Sequence, residues 1–87
     1  MTRWLVIIDK RAKDEIKRLD KPIRLRVLEL IDSLQVGDPR SRGKGLTADK
    51  SGTWSYRLGS YRVLAEIEDQ TITITITKAG HRSTVYD

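Results

Sequence analysis

The sequence predicts an α+β domain of order β-α-α-β-β-β, in which a mostly antiparallel four-stranded sheet carries a helical hairpin packed on one face. Three observations predict it. Apolar residues recur at helical spacing between residues 10 and 35, a strict alternation of isoleucine and threonine runs from residue 71 to 77, and Gly59-Ser60 separates two strand-like runs as a two-residue turn would. A chain of 87 residues has room for one domain, 1–87, and not for a large internal cavity. Any active site is therefore expected on the surface or in a shallow groove, which suits a polymer better than a buried small molecule.

Arg3 to Ile8 is rich in β-branched and aromatic residues and reads as the first strand. Asp9 fits an N-cap. Behind it Ala12, Ile16 and Leu19 keep helical spacing in a helix from Lys10 to about Leu19. Asp20-Lys21-Pro22 makes a turn, and proline at the first helical position starts a second helix that reaches about Gln35. Its apolar stripe is Ile23, Val27, Leu30, Ile31 and Leu34, widened by Leu25 and Leu28. Gly37-Asp38-Pro39 ends that helix, and residues 40–53, rich in glycine and charge, read as a basic loop. Trp54–Leu58, Tyr61–Glu66 and Thr71–Thr77 are the remaining strands. In the last of them Ile72, Ile74 and Ile76 should face the helices, leaving the other face of the sheet polar and available for binding.

The formal net charge of +5 favours a polyanionic partner, with nucleic acid first among the candidates. Trp4 to Ile8 is too short for a membrane anchor and is cut off by Asp9-Lys10-Arg11, so neither an anchor nor a signal peptide is expected and a cytoplasmic location is. The absence of cysteine excludes disulfides, thiolate catalysis and cysteine-ligated metal, and a single histidine excludes a histidine-rich metal site. The acidic residues are scattered along helical faces. Chemistry without metal or other cofactor is the expectation.

Candidate functional residues fall in three segments. In the run from Trp54 to Arg62, Tyr61 and Val63 should share one sheet face and Arg62 and Leu64 the other, while Arg57 and Arg62 approach each other across the hairpin. Clustered arginines bind phosphate in a planar, bidentate way, and aromatic rings nearby can stack on unpaired bases. Solvated strand residues with aromatic packing are the alternative. Lys78-Ala79-Gly80-His81-Arg82-Ser83-Thr84-Val85-Tyr86 joins, just after a strand, a histidine able to exchange protons, an arginine able to stabilise charge on phosphate and a tyrosine able to stack or titrate. A basic frayed tail would look the same. The loop Arg40-Ser41-Arg42-Gly43-Lys44-Gly45-Leu46 offers cations and close-approaching amides to an RNA backbone, or is a flexible connection; its glycine spacing is not that of a P-loop. Cations on the helices, from Lys10 to Arg26, read as a solvated face or as a steering surface for nucleic acid or an acidic partner.

Tyr61-Arg62-Val63 in a central strand, followed by Gly80-His81-Arg82 and Val85-Tyr86 and preceded by a glycine-rich basic loop and two charged helices, resembles the RelE/ParE toxin superfamily over essentially the whole chain. The resemblance implies a RelE-like microbial RNase fold and the toxin of a type II toxin–antitoxin pair. It implies a ribosome-dependent endoribonuclease, or mRNA interferase, that cuts messenger RNA in the ribosomal A site by attack of the 2′-hydroxyl on the adjacent phosphate. By position, Arg62 would contact the scissile phosphate, Arg82 would stabilise or orient the transition state, and Tyr86 would stack on a base and take part in proton transfer. His81 becomes a candidate acid or base, and Arg57, Lys44, Arg42 and Lys78 candidate RNA contacts. Implied partners are an acidic RelB-like antitoxin, the ribosome with its rRNA and mRNA, and a hetero-oligomer that binds operator DNA through the antitoxin. Ser55 stands where some relatives carry a lysine, and the sequence after Tyr86 is not expected to add the C-terminal helix of some members. The competing readings are a ParE-like toxin that inhibits DNA gyrase without nuclease chemistry, and an inactive RNA-binding relative.

Overall fold

A computed structural model describes residues 3–45 and 53–85. The elements run β1 (Leu5–Ile8), α1 (Lys10–Lys17), α2 (Lys21–Ser33), a 3₁₀ turn (Pro39–Ser41), β2 (Lys44–Gly45), β3 (Thr53–Leu58), β4 (Tyr61–Glu68), β5 (Thr73–His81) and α3 (Arg82–Val85). They form one five-stranded mixed sheet of order β1-β5-β4-β3-β2. β1 runs parallel to β5, and the other neighbours are antiparallel. The predicted α+β architecture with two principal helices is therefore present, and β2, hidden in the basic loop, is an addition to it.

Each helix begins where its sequence signals place it. The Asp9 carboxylate accepts the Ala12 N–H at 3.0 Å, satisfying one of the donors that a helix start leaves without a partner. Asp20 precedes α2 without such a bond, and Pro22, whose missing N–H costs nothing in the first turn, stands at its second position. Ala12 and Ile16 from α1 and Val27, Ile31 and Leu34 from the α2 segment meet Tyr56, Val63, Ala65, Ile67, Ile74, Ile76 and Ala79 of the sheet in a single core. Leu25 and Leu28 do not widen the stripe; both are exposed.

The turn Gly59-Ser60 pairs Leu58 with Tyr61, and its positive φ of 61° is confined to glycine at the first central position, as in a type II′ hairpin. The final strand departs from expectation at both ends. Ile72 lies in the preceding turn at φ +50°, a conformation that a β-branched residue seldom adopts, and is 40% exposed rather than buried. At the other end β5 continues through Gly80 and His81. Between them the register slips: Ala65 pairs with Ile76 but Leu64 with Lys78, so Thr77 is the extra residue of a β-bulge.

The segment read as a basic loop is fastened to the sheet as far as it is described. Tyr56, 1% exposed, donates its hydroxyl to the Pro39 carbonyl at 2.7 Å, and the Trp54 indole N–H donates to the Arg42 carbonyl at 2.6 Å. Arg40 makes two hydrogen bonds to the Asp69 carboxylate, at 2.8 and 3.0 Å, with its guanidinium 6.0 Å from the Trp54 ring centre. The hydrogen bond to Arg40 holds the Asp69 carboxyl below the usual carboxylate range. Gly43, at φ +71°, leaves no room for a side chain, because a Cβ there would sit 2.4 Å from the Ser55 carbonyl oxygen. No helix among the described residues is long and apolar enough to cross a membrane.

Candidate nucleic-acid interface

Pairing register decides which predicted side chains share a face, because residues directly opposite each other on neighbouring strands point the same way. Arg57 stands opposite Arg62, and Arg62 opposite Gly80. One step along the strands, Lys44, Ser55, Leu64 and Lys78 form a row that crosses β2, β3, β4 and β5. Arg57 follows Ser55 by two residues and Arg62 precedes Leu64 by two, so both rows lie on the same face, about 7 Å apart. It is the face away from α1 and α2, since the alternate residues Tyr56, Val63, Ala65 and Ala79 belong to the core. Four candidates, Lys44, Arg57, Arg62 and Lys78, thus meet on one surface although they are spread over 35 positions of the chain.

Within this set the cations are presented differently. Lys44 and Arg57 are exposed and Lys78 is half-buried. Arg62 is 8% exposed, and its Nη1 donates to the carbonyls of Gly59 and Tyr61 at 3.2 and 3.1 Å. Those bonds draw its guanidinium to the β3–β4 turn. Arg82 begins α3 beside the same turn, its backbone N–H donating to the Ser60 carbonyl at 2.8 Å. Arg82 is exposed. One hairpin turn therefore organises both arginines.

His81 is placed elsewhere. It pairs with Tyr61, whose ring it meets edge-on at 5.4 Å between centroids and an interplanar angle of 82°. Both belong to the helix side of the sheet, in a shallow groove of about 460 Å³ lined also by Glu15, Arg18 and Asp20. The register thus separates His81 from Arg57, Arg62 and Lys78. Arg42 is also apart from the cation rows: its guanidinium donates to the Ser33 hydroxyl at 2.7 Å, toward the end of α2. Tyr86 and Leu46 lie outside the described residues.

Of the two uses open to the aromatic rings of this run, Tyr56 takes the packing one: it is buried on the core side and fastened to Pro39, and burial pushes its phenol up to about 12. Gly80 and His81 do not follow the last strand but belong to it, and the bulge at Thr77 is what turns Lys78 toward the cations and His81 away from them. Glu15, read only as part of a charged helix face, accepts the Ala79 N–H at 2.9 Å. That donor lies three residues beyond Ile76, the last partner of β1, so the carboxylate stands in for a missing strand. Ordinary helix patterning carries no signal for such a contact. Among the described residues no group of three histidine, cysteine, aspartate or glutamate side chains is placed to hold a metal ion.

A small α+β domain with four cations ranked across one sheet face defines a class of protein suited to an extended anionic partner. Comparison with known proteins gives that class its family. The family model described as "ParE toxin of type II toxin-antitoxin system, parDE" matches residues 6–86. Toxin RelG of Mycobacterium tuberculosis is 32% identical over 75 residues, 86% of each chain. Among solved structures, the toxin–antitoxin complex RelBE2 from M. tuberculosis matches with a TM-score of 0.83 and 30% identity over 93% of this chain and 100% of that one. The intact E. coli RelBE complex shares the fold, with a TM-score of 0.77 and 19% identity over 90% of this chain and 95% of that one. The chain belongs to the RelE/ParE toxin superfamily and is a type II toxin.

Proposed function

We propose that this toxin is a metal-independent endoribonuclease that cuts messenger RNA in the ribosomal A site and so inhibits translation, and that an acidic RelB-like antitoxin holds it inactive. One observation carries the reading: Arg57 faces Arg62 directly across two strands, with Lys44 and Lys78 in the adjoining row. Like charges directly opposite each other destabilise a sheet. A fold that keeps them gains a surface that neutralises successive phosphates of an RNA strand.

In the reaction the 2′-hydroxyl loses its proton to a base and its oxygen bonds to the adjacent phosphorus. The bond from phosphorus to the 5′-oxygen breaks, and an acid returns a proton to that leaving oxygen. Charge accumulates on the phosphate oxygens in between. Arg62 and Arg82, gathered at one turn, are the proposed stabilisers of that charge, Arg57, Lys44 and Lys78 hold the strand, and Tyr86 is proposed to stack on a base and move a proton. The location follows as cytoplasmic, where ribosomes are. An antitoxin partner is supported by the RelBE complexes among the related structures.

The matched family description also names ParE, which supports a second reading, inhibition of DNA gyrase by binding. Programmed ribosomes decide between them. The nuclease reading expects cuts in A-site codons by wild-type protein and a loss of orders of magnitude in Arg82→Ala and Tyr86→Phe. Intact message together with inhibited supercoiling would replace it with the gyrase reading.

A further inference from the structure

We propose that His81 is a positioning residue: its imidazole caps the first turn of α3 and thereby sets how Arg82 and the residues after it leave the sheet. The inference rests on the nuclease reading for its link to activity, but the cap itself stands on local geometry.

The Ser83 backbone N–H donates to His81 Nδ1 at 3.2 Å, and the Ser83 hydroxyl lies 2.9 Å from the same nitrogen. A backbone amide can only donate, so Nδ1 is here an acceptor. That pattern, a side chain accepting the N–H two residues on, is the one by which asparagine closes an Asx turn. α3 needs it. A helix of four residues cannot repay its own nucleation, and its first amides have no partners inside the helix.

Two bonds therefore fix the exit from β5. The Arg82 N–H is held by the Ser60 carbonyl at 2.8 Å, and the next amide, of Ser83, by His81. The ring itself rests on Tyr61, on the side of the sheet opposite Arg57 and Lys78. From there it acts on the phosphate site through the direction of the chain and not by touching substrate. His81 is exposed beside an open groove, so replacing it leaves the core untouched.

Three variants test this, His81→Asn, His81→Gln and His81→Ala, each with two readouts: hydrogen exchange of the Ser83 amide followed by NMR, and A-site cleavage. Asparagine places an acceptor near the position of Nδ1, whereas glutamine carries it one methylene too far and alanine has none. Exchange at Ser83 should rise about five- to tenfold in the Ala and Gln variants, as loss of a cap implies, and return toward wild type in His81→Asn. Cleavage should follow the same order, with the Asn variant retaining most activity although it cannot exchange a proton. An Asn variant with a protected Ser83 amide and no activity would overturn the proposal in favour of proton transfer by His81. Unchanged exchange in His81→Ala would overturn the cap. If wild-type protein does not cut at all, the nuclease reading falls, and the exchange series still upholds or overturns the cap.

Discussion

Replacing Gly43 by alanine tests the fastening that carries Lys44 to the sheet. Gly43 and Gly37 both have positive φ, at 71° and 89°, so alanine at either meets a left-handed backbone penalty of about 1–2 kcal/mol. Part of that is offset by the smaller entropy of the unfolded chain, leaving about 1 kcal/mol. At Gly37 nothing lies within 4 Å of the new Cβ, and the cost ends there. At Gly43 the Cβ would lie 2.4 Å from the Ser55 carbonyl oxygen and 2.8 Å from the Tyr56 ring, and backbone cannot swing aside as a side chain does. The segment must lift off, which endangers the pairing of Lys44 and Gly45 with β3 and the bond from Trp54 to Arg42. Two or three hydrogen bonds at about 1 kcal/mol each bring the total to about 3–4 kcal/mol. Against Gly37→Ala the difference is about 2 kcal/mol, or about 10 °C in Tm for a domain of this size. Urea and thermal unfolding of both variants, followed by tryptophan emission, measure it. Equal losses at the two positions would refute the close approach and with it the fastened loop.

Two further outcomes follow from the same structure. Burial raises the Tyr56 phenol from its ordinary value near 10 to about 12, so the unfolded chain releases this proton first as the pH rises. The stability it confers is complete below pH 10 and is lost by about pH 12, in total about 3 kcal/mol; in Tyr56→Phe unfolding curves taken across that window should lose this part of the pH dependence. Arg57→Gln removes an exposed cation opposite Arg62, so the slope of log K against log salt for single-stranded RNA should fall by about 0.7 with the fold intact. An unchanged slope would mean that the cation face does not hold the strand.

Much of the fold was legible because local chemistry and long-range packing agree. Asp9 caps α1, Gly59-Ser60 turns the hairpin, and Val27, Ile31 and Leu34 bury the stripe their spacing announces. The facing of Arg57 and Arg62 was legible for the same reason, since a two-residue turn dictates register. What escaped depends on partners distant in sequence. Arg40 and Asp69 are 29 residues apart, and Tyr56 and Pro39 are 17 apart. Trp54 and Tyr56 carry aromatic rings in a basic strand, a composition equally suited to binding bases and to fastening a loop. Only the side of the sheet that each occupies separates the two uses.

The division of the candidate site between two faces has its cause at Thr77. Unbroken alternation from Ile74 and Ile76 would send Lys78 and Gly80 toward the helices and Ala79 and His81 away from them. An ammonium group driven into that apolar side without a partner would cost several kcal/mol, far more than the disruption of one ladder step. The bulge resolves the conflict. Ala79 enters the core, its N–H reaches Glu15, and Lys78 joins Lys44, Ser55 and Leu64 in one row. A trace of this stands in the sequence, where the apolar spacing changes from two, between Ile74 and Ile76, to three, between Ile76 and Ala79. The same slip carries His81 to the side of Tyr61, so gathering the cations and removing the imidazole from them are one structural event.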